Sequence, residues 1–177
     1  MRYVVLLRGI NVAGKNRIKM IDLKNIFESL KFKNVKTYIQ SGNVVFDYDI
    51  TDIVKLTRVI EVKINDTFGF FVKVIVRNEE EFRSIVNNNP FVNDTNVELD
   101  KLHVVIMSDI PDPKLLLNLD IKKEDNEKFL INKKEIYLYC PNGYGKTKLN
   151  NTMFEKILNM VCTTRKWKTI KNIARDI

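Results

Sequence analysis

The order in which the apolar period switches along the first 77 residues constrains this chain more than any single motif. "RYVVLLR" is a short run of β-branched and large apolar residues, the pattern of a buried strand. "MIDLKNIFESLK" then places Ile21, Leu23, Ile26, Phe27 and Leu30 at helical spacing. "VKTYIQ" and "NVVFDY" read as two strands turned at Gln40, Ser41 and Gly42, where glycine permits a tight reversal. Thr51 or Asp52 is placed to cap a helix that carries Ile53, Leu56, Ile60 and Ile64 on one face and stops before Gly69. "FFVKVIVR" supplies a fourth strand. Strand, helix, strand, strand, helix, strand is the split unit of a ferredoxin-like plait, which sets two helices on one face of an antiparallel sheet.

The succession begins again after a connecting helix. Asn78 is placed to cap "EEEFRSIVNNN", whose three glutamates fall in the first turn where the helix dipole favours them, and Pro90 ends it. "KLHVVIMS" is a strand, Asp112 with Pro113 opens the short helix "KLLLNL", and "EKFLIN" and "EIYLYC" form a hairpin turned at Lys133 and Lys134. Thr152 and Glu155 have capping-box spacing ahead of the helix "MFEKILNMVC". The closing "TTRKWKTIKNIARDI" reads as helical where a plait needs its last strand. The expected fold is therefore α+β, an internal duplication of two packed plait-like subdomains, 1–77 and 78–177. The second is expected to be incomplete and to end in a helical segment. No Gly/Ser/Pro-rich linker separates them, which predicts rigid packing and a shared site where the halves meet.

Charge is distributed unevenly over this frame. The chain carries a net +8, with 14 Lys or Arg against 7 Asp or Glu over residues 1–77, 8 against 13 over 78–135, and 8 against 2 over 136–177. Two basic ends around an acidic middle allow a one-sided positive surface, the footprint of a nucleic-acid partner, or merely solvated lysines. No apolar run approaches the roughly 20 residues of a spanning helix, and the N-terminus lacks a signal-peptide pattern, so a cytoplasmic protein without a membrane partner is expected. Cys140 and Cys162 form no CxxC, and the one histidine, His103, lies in an apolar strand without ligand-type neighbours. No metal or nucleotide cofactor is indicated, and nothing assembles a Ser-His-Asp or Cys-His pair.

"LLRGINVAGKNRIKM" carries the clearest chemical signal. Gly9, Gly14 and Lys15 have the spacing of a phosphate-binding P-loop, but Asn16 stands where Ser or Thr must hold Mg²⁺, and the helical pattern starts only near Met20. Asp109 after "VVIMS" has the place of a second-motif carboxylate, yet an antiparallel plait lacks the parallel sheet of an NTPase. A looser reading survives: Arg8, Lys15, Arg17 and Lys19, with Asn11 and Asn16, crowd four charges and two amides beside two glycines able to turn backbone N–H groups inward. "PNGYGKTKLNN" repeats the chemistry with Lys146 and Lys148. If residues 135–140 are the third strand of their half, this loop is related by the plait's internal pseudo-symmetry to the one after the first strand. Asp22, in the first turn of a helix, reads as a dipole residue.

"RGINVAGKNRIKM", "YIQSGNVVF", "NNNPF", "GYGKTKLNNTMFEKIL" and "TTRKWKTIKNI" together resemble the bacterial family called domain of unknown function 1697, over nearly the whole chain. The resemblance implies two plait-like subdomains and an unassigned biochemical function; it supplies no catalytic residues. Ala13 stands where that family commonly has glycine, which suggests a position without a glycine-only backbone angle. Lys166 and Lys168 flank Trp167 where "RNWNT" is usual.

Three functions follow. The leading one is an anionic small molecule, a phosphate-bearing ligand above all, bound by Arg8, Asn11, Lys15, Asn16 and Lys19 with Gln40, Ser41 and Asn43, joined by Lys146 and Lys148. Phosphoryl or acyl-phosphate chemistry by positioning and charge would make this an enzyme, though no catalytic residue is assigned. The second is RNA or single-stranded DNA bound on a basic face, with Trp167 as a stacking platform between Arg165 and Lys168, and Phe46 and Tyr48 as strand aromatics. The third makes the same polar residues purely structural ties at the subdomain junction, and Trp167 an anchor for the last helix.

Overall fold

The computed structural model of the chain describes residues 1–49, 52–117 and 121–177. The first strand, β1 (Arg2–Leu7), is buried from Tyr3 to Leu7. A run of five apolar residues on successive strand positions is covered on both faces of the sheet. β1 pairs antiparallel with β3 (Asn43–Asp47) on one side and β4 (Val74–Asn78) on the other, and β2 (Lys33–Tyr38) completes the order β2-β3-β1-β4. Alternate strand residues Tyr3, Val5, Leu7, Val44, Phe46, Val74 and Val76 meet Leu23, Ile26 and Phe27 of α1 (Met20–Ser29) and Leu56, Ile60 and Ile64 of α2 (Ile53–Phe68) in one core. Asp52 caps α2 by accepting from Lys55 N, and Gly69 closes it with φ +77°; Thr51 lies outside the described residues. β4 is shorter than the apolar run "FFVKVIVR" because β1 ends at Leu7, opposite Val74, and the pairing continues only as the bond from Arg8 N to Lys73 O.

Phe46 is fully buried in this core and stacks on Phe32 with ring centroids 4.2 Å apart, and Tyr48 packs at the same place. Phe46 is therefore a core residue, and Tyr48 is half-buried against the same core.

By compactness the chain divides into Met1–Arg83 with Ile177, and Ser84–Asp176, the break falling within α3 (Glu79–Asn87). The start of α3 is a reciprocal capping box: Asn78 Oδ1 accepts from Glu81 N, and Glu81 Oε2 accepts from Asn78 N.

The second unit contains a sheet in the order β6-β7-β5-β8, built from β5 (Leu102–Met107), β6 (Lys128–Asn132), β7 (Glu135–Tyr139) and β8 (Cys162–Lys166), all pairs antiparallel. The helices are α4 (Pro113–Leu117), α5 (Asn151–Leu158) and α6 (Trp167–Asp176). Asp112 Oδ1 accepts from Lys114 N at the start of α4; Asn118 and Leu119, expected to extend it, lie outside the described residues. The second plait is not incomplete. β8 is its fourth strand, paired along the whole of Cys162–Lys166 with β5, and only the residues after it are helical. The polar, β-branched "CTTRK" lacks the apolar signal of a central strand but suits an edge position. α5 also stops earlier than its apolar pattern suggests, because Asn159 turns left-handed at φ +53° and frees Cys162 for the sheet. Its cap is Asn150, which accepts from Met153 N; Glu155, expected in a box with Thr152, instead accepts from Cys162 N.

The same register recurs in both units. Val4 lies opposite Arg77 and Val104 opposite Arg165, and a helix follows at once in each case, α3 or α6. Both arginines are buried.

Candidate functional site

The loop after β1 leaves the sheet between two fixed points: Leu7 N donates to Gly42 O at 2.9 Å and Arg8 N to Lys73 O at 2.8 Å. It then folds on itself. Asn11 N donates to Asn16 O and Lys15 N to Val12 O, closing a miniature hairpin whose two central residues, Ala13 and Gly14, have φ of +48° and +76°. Positive φ at both central positions is the pattern of a type I′ turn. Ala13 does therefore occupy the left-handed angle at which glycine is favoured, contrary to the inference from its replacing glycine.

Amides hold this loop down. Asn11 Oδ1 accepts from Ile18 N at 2.9 Å, while its Nδ2 donates to Ile18 O at 2.9 Å and to Gln40 O at 2.8 Å. One side chain thus joins the loop to the β2–β3 turn. Asn16 Nδ2 donates to Gly9 O at 3.2 Å. Asn43 is fully buried, its Nδ2 donating to Tyr38 O and Ser41 Oγ. Ile10 and Ile18 anchor the loop from beneath, and Gly42 leaves room for Ile10: a Cβ on Gly42, itself at φ +74°, would stand 2.5 Å from Ile10 Cδ1.

The result is an open hollow of about 690 Å³ lined by Asn11, Gly14, Arg17, Ile18 and Lys19 of the loop, Met20 and Asp22 of α1, Gln40 of the turn and Phe68 at the end of α2. Of the expected ligand residues, Asn11, Lys19 and Gln40 come together here. Lys15 is exposed at the hairpin, and Arg8 is half-buried where the loop leaves the sheet. Asn11, Asn16, Ser41 and Asn43 spend side-chain hydrogen bonds on the protein itself, which makes them builders of the site. Arg17, Asp22 and Phe68 were not among the expected ligand residues. Arg17 lay within the basic run, whereas Phe68 ends an amphipathic helix, and nothing local marks it as a wall of the hollow.

Three observations separate this loop from a P-loop. β1 is antiparallel to both its neighbours, the loop is a hairpin instead of a wrap around an anion, and Lys19, at the cap of α1, makes no side-chain capping bond. Asp109, the other half of that reading, accepts from the N–H of Ile110 in its own turn.

In the second unit Lys146 and Lys148 are exposed on the loop between β7 and α5. β7 is the third strand of its plait, as the pseudo-symmetry argument requires, but it runs antiparallel to β5, so loops after the first and third strands leave opposite ends of a sheet. The counterpart of 8–19 by strand position is the short 108–112. Tyr144 of the Gly-Lys loop stacks on His103, centroids 4.9 Å apart, and donates to Thr164 Oγ1 at 2.9 Å; Thr164 in turn donates to Asn151 Oδ1 at 2.7 Å. His103 is a buried histidine whose Nδ1 lies 3.1 Å from Lys101 O, and burial holds its pKa below the usual value. Burial also pushes the Cys140 thiol up, to about 11. Cys140 N meets Lys101 O and Cys162 pairs with Met107, so the two cysteines lie at opposite ends of β5, about 20 Å apart at strand rise, and cannot form a disulfide. Among the described residues no group of three or more His, Cys, Asp or Glu is placed to hold a metal ion, and no helix is long and apolar enough to cross a membrane.

The stacking platform is not built. Trp167 is buried at the start of α6, and Arg165 is buried with its Nη1 donating to Thr163 Oγ1 and Thr164 O; of the trio only Lys168 is exposed. Trp167 anchors the last helix, with Ile170, Ile173 and Ala174 on the same buried face.

The family model described as protein of unknown function (DUF1697) matches residues 1–137. The chain belongs to the DUF1697 family. Among solved structures it is similar to the conserved bacterial protein SP0830 from Streptococcus pneumoniae, at 24% identity and a TM-score of 0.76, with 98% of this chain and 97% of that one covered. That likeness shows a shared fold, which in this chain is two four-stranded antiparallel sheets with a C-terminal helix. No curated protein matches the chain.

Proposed function

We propose that this DUF1697 protein binds a small phosphate-bearing or otherwise anionic ligand in the hollow beside the β1–α1 loop. The observation that carries the reading is a pair of cations that have no ion-pair partner among the described residues. Arg17 and Lys19 line the hollow, and among the described residues neither is in an ion pair. The loop's internal hydrogen bonds fix the backbone that carries them beside the hollow. The reading is one of binding. The hollow contains one carboxylate, Asp22, and no histidine or cysteine.

A thermal-shift panel of nucleotides, sugar phosphates and acyl phosphates tests it. At a hundredfold excess over Kd a ligand stabilises by about 2.7 kcal/mol, a readable rise in melting temperature. That rise is expected for at least one compound and should vanish in the double variant Arg17→Ala, Lys19→Ala. A flat response across the panel in the wild-type chain overturns the reading.

A further inference from the structure

We infer that the hollow is shaped for a phosphate monoester of a small hydroxylated compound, a sugar or polyol phosphate, and not for a bare anion; this rests on the anion reading above. Asp22 is the reason. It lines the same hollow as Arg17 and Lys19, and among the described residues it has neither a hydrogen bond nor an ion pair with them or with any other group. For inorganic phosphate such a carboxylate is a liability, since like charges sharing a small site repel. For a phosphorylated sugar it is an acceptor for hydroxyl groups, while the phosphate lies by the two cations.

Size and wall chemistry agree. A volume of about 690 Å³ falls in the range of small-molecule sites, roughly 300 to 1,000 Å³, and far exceeds what one phosphate fills. Phe68, with Met20 beside it, gives an apolar wall for the C–H face of a sugar ring. Arg17 is set for the phosphate end: a methyl group at Gly14 would stand 3.4 Å from Arg17 Nη2, so the guanidinium lies close over the tip of the hairpin.

Titration calorimetry of the full chain with inorganic phosphate, ribose 5-phosphate, glucose 6-phosphate, AMP and unphosphorylated glucose tests the inference. At least one of the two sugar phosphates should bind tenfold or more tighter than inorganic phosphate, and glucose should not bind. Asp22→Asn should remove most of that preference while leaving or improving the affinity for inorganic phosphate, and Phe68→Ser should weaken the sugar phosphates alone. Circular dichroism melts establish that each variant is folded, and two variants on different elements keep the result readable if one is not. Equal affinity for phosphate and both sugar phosphates, or a preference unchanged in Asp22→Asn, overturns this inference and leaves the anion reading standing. Tightest binding by AMP overturns it in favour of a nucleotide. If no phosphate compound binds the wild-type chain, both fall.

Discussion

Gly42 and Ala13 show how much of the site is decided by single backbone angles. Gly42 combines φ +74° with a side-chain direction that runs into Ile10. Gly42→Ala should cost about 2–4 kcal/mol, the left-handed penalty plus overpacking, a loss of roughly 4–16 °C in melting temperature for a chain of this size; a loss under 2 °C would show that the loop is not held there. Ala13 has the opposite sign. With φ +48° and a side chain in the open, Ala13→Gly should stabilise by about 0.5–1 kcal/mol, the relief of strain exceeding the extra chain entropy, and urea unfolding measures it. His103 belongs at this scale too, and being the one histidine it reports without ambiguity. Its pKa lies below 6.5 chiefly through burial, opposed by the Lys101 carbonyl and reinforced by Lys166. The unfolded chain therefore binds a proton first as pH falls: the stability held by neutral His103 is full above about pH 6.5 and declines from there toward the folded pKa. An NMR titration midpoint at or above 6.5 would contradict this.

Two elements of this chain end elsewhere than their apolar patterns suggest. The apolar run before β4 is longer than the strand because the β1–β4 ladder ends at Leu7 and Val74 with one further bond, Arg8 N to Lys73 O, and α5 is shorter than its apolar pattern because Asn159 takes a left-handed turn ahead of β8. Helix starts were more legible, since Asp52, Asn78 and Asp112 each bond the backbone as their residue types foretell. The exception is α5. Thr152 and Glu155 have the spacing of a capping box, but Asn150 two residues earlier makes the cap and Glu155 is drawn to Cys162 N. Asn150→Ala should thus cost about 1 kcal/mol and exposed Thr152→Ala far less; equal losses in denaturant unfolding would restore the box.

Over the whole molecule the net charge of +8 and the burial of Trp167 bear on nucleic acid in opposite ways. The charge allows loose association with phosphate backbones; the burial denies base stacking at Trp167. Any binding of single-stranded DNA, followed by anisotropy, should fall steeply from roughly 50 to 200 mM salt, and the emission of Trp167, the one tryptophan, should not change on adding the oligonucleotide. Quenching by DNA would reopen the stacking reading. By itself the sequence determined the two α+β plaits, their helices and hairpins and the basic loop, because each rests on local period, capping or turn chemistry. Tertiary structure decided the rest. It added β8, whose polar residues become a strand only against β5, buried Arg165 and Trp167, and turned Asn11, Asn16 and Asn43 from ligand donors into supports. It also gathered Arg17, Lys19, Asp22 and Phe68 around one hollow, since residues up to 51 positions apart become neighbours only when the helices close on the sheet.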